Sequence, residues 1–149
     1  MPDTASRALD TFPRLLFYHA QVRGQKAAMR EKDLGIWQSW TWADVAEHVS
    51  ALACGLAALG FKRGDNLAII GDNRPRLYMM MTAVQCLGGV PVPLYQDAVG
   101  AEMLFVLQDA GVRFALAEDQ EQVDKLLEIQ DQLPSLEHIV YDDPRGMRH

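Results

Sequence analysis

Apolar residues in the middle of the chain follow two patterns, short continuous runs and a longer stripe at helical spacing. Residues 66–70 form an apolar run bounded on both sides by Gly-Asp, and residues 90–94 form a second run after a pair of glycines. Such runs are typical of buried strands. Between them, apolar residues recur every three or four positions, as on the buried face of a helix, at Leu77, Met80, Met81, Val84 and Leu87. The pattern predicts a strand, a crossover helix and a strand, which is right-handed if the strands are parallel.

Turn-forming residues set the limits of this central unit. Asn73 is predicted to cap the helix, with Pro75 in the first turn, where a missing N–H costs nothing. The two glycines at 88–89 end the helix. Pro91 and Pro93 cannot donate hydrogen bonds to a sheet, so residues 90–94 are predicted to form an edge or irregular strand.

The first forty residues predict a helix and a hairpin. Thr11 can cap a helix that ends near Gly24. Residues 26–32 and 36–41 then flank the sequence Asp-Leu-Gly, which indicates a three-residue hairpin loop with glycine in the left-handed conformation.

The longest helix is predicted to begin after Thr41, with Asp44 completing a variant of the capping box. Gly60 is expected to end this helix. Its buried stripe is predicted to contain Val45, Val49, Leu52, Leu56 and Leu59.

The remaining chain continues to alternate between helices and strands. We predict helices at 101–110 and 121–133 and strands at 112–117 and 136–141. The fold class is therefore α/β, with βαβ units, a mainly parallel sheet flanked by helices and an N-terminal hairpin. Residues 1–9 and 144–149 are expected to be loose ends.

Composition and charge narrow the class of protein. A chain of 149 residues is long enough for one domain that buries about 68–70% of its unfolded surface. The net charge of −6 comes from interspersed acids and bases, so no basic stripe for nucleic acid is present. No apolar run approaches the roughly 20 residues that span a bilayer, and the N-terminus lacks a secretory apolar region. We expect a cytoplasmic protein, with a peripheral position at the inner membrane left open.

Five residues with reactive or stacking side chains each have a structural explanation that we favour. His19 could be a base, but a lone histidine on a helix face is more often a surface or hydrogen-bonded core residue. Trp37 and Trp40 could stack on a ligand, but packing on the core is commoner. Glu118 and Asp119 could be acid–base groups or metal ligands, but they also lie where carboxylates stabilise a helix start.

Motifs for catalysis are absent from the sequence. It contains no GxxxxGK[ST], GxGxxG, HExxH, CxxC or GxSxG pattern. Cys54 and Cys86 lie in predicted helices and are expected to be free, buried thiols, since a metal site needs more ligands than their surroundings offer. The residues alone therefore indicate an α/β domain without a recognisable active site or metal site.

A set of short motifs in fixed order gives a more specific indication. They are Thr41-Trp42-Ala43-Asp44-Val45, residues 53–60, Gly64-Asp65 with Leu67-Ala68-Ile69, Asn73 with Pro75, Ala83, residues 88–95, and Asp109-Ala110-Gly111-Val112. In this order and spacing, over roughly residues 10–141, they resemble the N-terminal part of AMP-forming acyl-CoA synthetases, in the adenylate-forming ligase superfamily. Residues 117–143 are most similar to the bacterial long-chain fatty acid branch. The sequence departs from the family pattern at Arg76-Leu77 and at Gln96-Asp97.

The resemblance implies a two-step reaction for a longer parent protein. A fatty acid carboxylate attacks the α-phosphate of ATP and releases pyrophosphate; the thiol of coenzyme A then attacks the acyl carbonyl and releases AMP. The family motifs for ATP, Mg²⁺ and the catalytic lysine do not occur between Met1 and His149. We therefore assign no catalytic, cofactor-binding or metal-binding residue to this chain. Residues 1–149 are interpreted as the incomplete N-terminal part of the AMP-binding domain, and this part is expected to bind no cofactor.

In this interpretation the chain is a scaffold, whose partners are the rest of its own domain and the C-terminal domain. Tyr95 is the one candidate for a wall of the acyl or coenzyme A route. Isolated, the chain is expected to be inactive and to self-associate through surface meant for the missing parts. Two alternatives stay open: an aryl-, medium-chain- or amino-acid-activating relative, or a complete non-enzymatic interaction module.

Overall fold

A computed structural model describes residues 9–147; residues 1–8 and 148–149, which include most of the predicted loose ends, lie outside this range. The described chain forms five α-helices, six strands and a short 3₁₀ turn, Gln130–Gln132. In chain order the elements are α1 (Phe12–Arg23), β1 (Ala27–Asp33), β2 (Ile36–Thr41), α2 (Trp42–Ala58), β3 (Asn66–Ile70), α3 (Pro75–Cys86), β4 (Val90–Leu94), α4 (Gly100–Asp109), β5 (Phe114–Ala117), α5 (Gln120–Ile129) and β6 (His138–Tyr141).

Four strands form a parallel sheet in the order β4-β3-β5-β6. The prediction of a parallel βαβ unit with its second strand at an edge is confirmed. Strands β1 and β2 form a separate antiparallel hairpin. The α/β class, with a helix-flanked parallel sheet and a hairpin, is also confirmed.

Two apolar cores cover the two faces of the parallel sheet. Alternate residues of β3 point to opposite faces, as strand geometry requires: Leu67 and Ile69 belong to one core, Ala68 and Ile70 to the other. Helices α1, α2 and α3 supply the first core, and α4 and α5 supply the second. The connections that follow β3 and β4 therefore run over opposite faces of the sheet.

The starts of α2 and α3 show that a local sequence signal predicts one helix cap correctly and another wrongly. The capping box is confirmed, because the backbone N–H of Thr41 donates to the Asp44 carboxylate at 2.8 Å and Asp44 N–H donates to Thr41 Oγ1 at 3.2 Å. The prediction that Asn73 caps α3 is wrong, since Arg74 occupies the N-cap position without a side-chain hydrogen bond. The residue before a proline favours extended backbone, and Asn73 Oδ1 instead accepts a hydrogen bond from the Tyr78 hydroxyl at 3.1 Å.

The hairpin is tighter than predicted. Asp33 pairs with Ile36, which leaves the two-residue turn Leu34–Gly35 rather than a three-residue loop. Both turn residues have positive φ, 46° and 84°, as a type I′ turn requires. The left-handed conformation of Gly35 is confirmed, whereas the left-handed conformation of Leu34 was not predicted.

Burial departs from the sequence pattern at several positions. Leu59, at the end of the α2 stripe, is exposed, whereas Met79, which lies outside the α3 stripe, is buried. Both cysteines are free thiols, but Cys54 is exposed and Cys86 is only half-buried, so the expectation of burial is wrong for Cys54. Burial raises the pKa of the Cys86 thiol. None of the described helices combines the length and apolarity that a bilayer crossing requires.

Candidate functional site

The divergence of the connections after β3 and β4 opens a crevice at the carboxyl ends of these strands. The chain leaves β3 towards α3 on one face and leaves β4 towards α4 on the other. Open α/β sheets bind ligands in crevices of this kind, outside the carboxyl ends of the strands. We call this space the β3/β4 crevice.

The β3/β4 crevice encloses about 390 Å³. Its floor is apolar and its rim carries amide, carboxylate and phenol groups; no ion pair joins the described residues that line it. The lining comprises Ile69, Gly71, Asp72, Asn73, Leu77, Tyr78, Met81, Pro93, Leu94, Tyr95, Gln96 and Asp97. A small apolar cavity with a few polar groups at its mouth is the usual form of a ligand site.

Tyr95, the sequence candidate for a substrate wall, lies at the mouth of this crevice. It follows the last residue of β4 directly, and 88% of its surface is exposed. The β4–α4 loop behind it is held by Lys125, whose ammonium donates to the Gln96 carbonyl at 2.6 Å. The structure therefore presents the ring to solvent beside the cavity, and its contact with a substrate stays a prediction.

The opposite wall of the crevice, the β3–α3 loop, is fixed by a buried carboxylate. Glu118, directly after β5, accepts hydrogen bonds from the Asp72 backbone N–H and from Arg74 Nε. Arg74 Nη1 also donates to Glu31 of the hairpin at 2.7 Å. Hydrogen bonds to Glu31 and Glu118 raise the pKa of the Arg74 guanidinium. The loop approaches Glu118 so closely that a Cβ on Gly71 would lie 2.5 Å from the Glu118 Cβ.

This network corrects the interpretation of the Glu118–Asp119 pair. Asp119 caps α5, as proposed, by accepting from the Gln122 N–H at 3.2 Å. Glu118 has a different role, since it turns back across the sheet to bind Asp72 and Arg74. The two carboxylates therefore do not act as a pair.

A second, more polar crevice lies beyond this network, with a volume of about 320 Å³. Arginines and carboxylates line it, and they pair with one another: Arg74 with Glu31 and Glu118, and Arg76 with Asp142 at 3.3 Å. Burial raises the pKa of Asp142 despite this arginine. Within residues 9–147, no cluster of three or more His, Cys, Asp or Glu side chains is suited to a metal ion.

The other sequence candidates lie elsewhere. His19 packs between the rings of Tyr18 and Trp42, with centroids 5.3 and 4.9 Å away, and its Nδ1 is buried without a hydrogen-bond partner. Trp40 packs against the core, as favoured, but Trp37 is 66% exposed, so the packing interpretation is wrong for Trp37.

Sequence reasoning missed the Glu31–Arg74–Glu118 network because its members are 43 and 44 residues apart. A usable signal was nevertheless present. Asp72 and Glu118 follow the predicted strands that end at Ile70 and Ala117, and carboxyl ends of parallel strands meet at one edge of a sheet. Pairing those strands would have placed the two residues together.

Several curated relatives of this sequence are CoA ligases. The long-chain-fatty-acid–CoA ligase FadD15 of Mycobacterium bovis is 28% identical over 106 residues, which cover 71% of this chain and 18% of that protein. The long-chain-fatty-acid–CoA ligase ACSBG2 of Xenopus laevis is 26% identical over 138 residues, covering 93% of this chain and 19% of that protein. The 2-succinylbenzoate–CoA ligase of Bacillus pumilus is 30% identical over 97 residues, covering 65% of this chain and 19% of that protein. The chain thus spans about a fifth of the length of these relatives.

Solved structures share the fold. The N-terminal domain of FACL13 from Mycobacterium tuberculosis matches with a TM-score of 0.80 and 22% identity, over 88% of this chain and 33% of that one. The anthranilate CoA ligase AuaEII matches with a TM-score of 0.81 and 22% identity, over 87% of this chain and 24% of that one. The sequence also matches the family of AMP-binding enzymes over residues 16–148. This chain belongs to the AMP-binding enzyme family.

Proposed function

We propose that these residues form the N-terminal part of the AMP-binding domain of an AMP-forming acyl-CoA synthetase. The family match over residues 16–148 carries this proposal, and relatives that are themselves CoA ligases support it. The reaction would join a carboxylic acid to AMP with release of pyrophosphate, then transfer the acyl group to the thiol of coenzyme A. ATP would supply the leaving group that the first step needs, and Mg²⁺ would accompany it.

Within such an enzyme, we assign these residues the role of a scaffold. The polar groups that line the β3/β4 crevice are carboxylates, amides and phenols, and its described lining contains no lysine or arginine. A triphosphate requires cations or a glycine-rich loop of N–H groups, so the β3/β4 crevice does not fit it, and the family motifs for ATP do not occur in residues 1–149. Adenylation would therefore depend on residues outside this chain.

Tyr95 gives the scaffold a second role as one wall of the acyl or coenzyme A route. An exposed aromatic ring at the mouth of a partly apolar crevice can cover an alkyl or pantetheine chain while its hydroxyl stays hydrated. The polar rim and the absence of cations favour an uncharged stretch of a substrate over its phosphates.

A long-chain fatty acid is the substrate that we propose, because long-chain ligases recur among the relatives. An aryl or short acid is the second candidate, since 2-succinylbenzoate–CoA ligase and 4-hydroxybutyrate–CoA ligase 2 of Metallosphaera sedula also match. An acid panel with the enzyme encoded by the whole reading frame decides between them. A cytoplasmic location and association with the remaining parts of the ligase are part of the same proposal.

Two measurements test the assignment. Calorimetric titration of the 149-residue chain should show no saturable ATP binding, and micromolar binding would refute the scaffold role. In the complete enzyme, Tyr95→Ala should raise KM for coenzyme A or the acid more than it lowers kcat. Phe105→Ala is the matched control, because Phe105 is equally aromatic and 70% exposed but lies on α4, outside the crevice. Equal effects of the two variants would refute a wall at Tyr95.

A further inference from the structure

The tip of the β1–β2 hairpin exposes an apolar cluster that the fold does not use. Leu34 is 87% exposed, Ile36 64% and Trp37 66%. Further along the same hairpin, Met29 and Trp40 pack against the core, so the hairpin is anchored at its base and projects its apolar residues at its end. We call Leu34, Ile36 and Trp37 the hairpin tip.

Leu34 breaks the local rule for its own position. A type I′ turn needs positive φ at both central residues and strongly prefers Asn-Gly or Asp-Gly there. Leu34 adopts φ 46°, a conformation that bulky side chains rarely take. Its side chain gains almost no packing in return, because it is nearly fully exposed. An observed outlier without a packing gain points to a functional constraint.

Two cations accompany the hairpin tip. The strand register places Lys32 opposite Trp37 and Arg30 opposite Ser39, so both cations share the outer face of the hairpin with the tryptophan. Both are exposed, and neither forms an ion pair with any residue between 9 and 147.

The acids of the hairpin do not cancel this charge. Glu31 lies on the opposite face, where Arg74 holds it. Asp33 pairs with Ile36 in the register and so also lies on the opposite face from Trp37. The outer face thus joins an unpaired positive charge to an exposed aromatic ring, although the whole chain carries a net charge of −6.

We propose that the hairpin tip docks on an anionic lipid surface, with Leu34 and the outer-face Trp37 entering the interface and Arg30 and Lys32 contacting the headgroups. Tryptophan concentrates at membrane interfaces because its ring is apolar and its N–H stays wet. Cations near an anionic leaflet are attracted within about 10 Å at moderate salt. The proposal does not depend on which acid the enzyme activates.

Leu34→Asn separates docking from folding. It creates the Asn-Gly turn that a type I′ hairpin prefers, so the melting temperature of the 149-residue chain should rise by about 2–4 °C. The same change removes the most exposed apolar side chain of the tip. Affinity for vesicles of phosphatidylglycerol and phosphatidylcholine, measured by co-sedimentation, should fall about tenfold.

Two further variants complete the test. Charge removal by Arg30→Gln and Lys32→Gln should weaken binding about fivefold for each cation and reduce its salt dependence. Phe105→Ala, on the other side of the sheet, should leave binding unchanged.

Three results would each overturn the proposal. The first is a chain that stays in the supernatant, as expected if the tip contacts protein instead. The second is equal binding to pure phosphatidylcholine vesicles, and the third is a Leu34→Asn variant that is more stable yet binds as well as the original.

Discussion

Glu118→Gln removes the negative charge that holds the β3–α3 loop while keeping the shape of the side chain. In the native chain this carboxylate accepts from the Asp72 N–H and from Arg74 Nε. A glutamine has one oxygen to accept with, and its NH₂ group would face one of these donors. One donor must therefore lose its partner in a region where Glu118 is only 9% exposed.

The expected loss of unfolding free energy depends on the hydrogen bonds and hydration that each partner keeps in the variant. Breaking a fully buried ion pair costs about 3–5 kcal/mol. Arg74 keeps its bond to Glu31, and its side chain is 43% exposed, so water recovers part of its solvation. A hydrogen bond to a charged group is worth about 1.5–3 kcal/mol. We expect a loss of about 2 kcal/mol, which lowers the melting temperature of a domain this size by about 4–8 °C.

Urea and thermal unfolding, followed by circular dichroism, measure this loss. Glu137→Gln is the matched control, because Glu137 binds the Arg113 guanidinium through both oxygens at 3.0 and 2.6 Å but has a side chain that is 49% exposed. Exposed ion pairs contribute little to stability, so its shift should be less than half as large. Equal shifts for Glu118→Gln and Glu137→Gln would refute the reasoning that burial of Glu118 makes it a loop anchor.

Three other predictions follow from the fold. Gly71→Ala should destabilise the chain, because its Cβ would lie 2.5 Å from the Glu118 Cβ. Gly55→Ala in α2, where the added Cβ would have no atom within 4 Å, should stabilise the chain by about 1 kcal/mol. Urea unfolding of both variants checks this, and a change of the unfolding free energy in the same direction for both would contradict it. Hydrogen bonds from Thr41 lower the pKa of Asp44. Their contribution to stability is therefore complete above the ordinary pKa of aspartate and is lost as pH falls through the lowered value. Thr41→Ala should make the unfolding free energy fall less steeply at acid pH, and an unchanged pH dependence would contradict this. Tyr141→Lys should reduce self-association at high concentration, measured by light scattering, because β6 is a sheet edge without the prolines that protect β4 and Tyr141 is its exposed residue. A chain that is already monomeric would contradict it.

Sequence patterns were most reliable where the local chemistry has one solution. Strand β3 has the predicted limits because Gly-Asp pairs bound a run that is apolar on both faces. The prolines at 91 and 93 placed β4 at an edge, and the parallel pairing with β3 agrees. In both cases the backbone itself, through missing donors or permitted turns, decides the outcome.

Errors appeared where a nearby residue competes with the local signal, or where burial depends on how a helix packs in the fold. Asn73 has the side chain of a good cap, yet the Tyr78 hydroxyl uses its oxygen and the following proline shifts the helix start. Leu34 was counted as one of three loop residues, but pairing of Asp33 with Ile36 leaves only two. Cys54 was expected to be buried from its neighbours in sequence, and its helix face turns out to be exposed.

In the candidate site, too, one part could be predicted from the sequence and another could not. Tyr95 was singled out through resemblance, and the structure explains why such a position is available: β4 is an edge strand, so the residue that follows it has no neighbour on its outer side. The Arg74–Glu118 pair was beyond reach of local reasoning, since only pairing of β3 with β5 brings these residues together.

The fold uses the two crevices beside β3 in opposite ways. Towards β5, arginines and carboxylates line the crevice and form ion pairs that join the hairpin, α3 and the end of β5. Towards β4, no ion pair joins the described lining residues. Glu118 holds the Asp72 backbone from the ion-paired side, so hydrogen bonds within the protein position this wall of the β3/β4 crevice. A preformed wall reduces the ordering cost of binding. Loss of Glu118 should therefore lower substrate affinity at the proposed Tyr95 wall as well as stability.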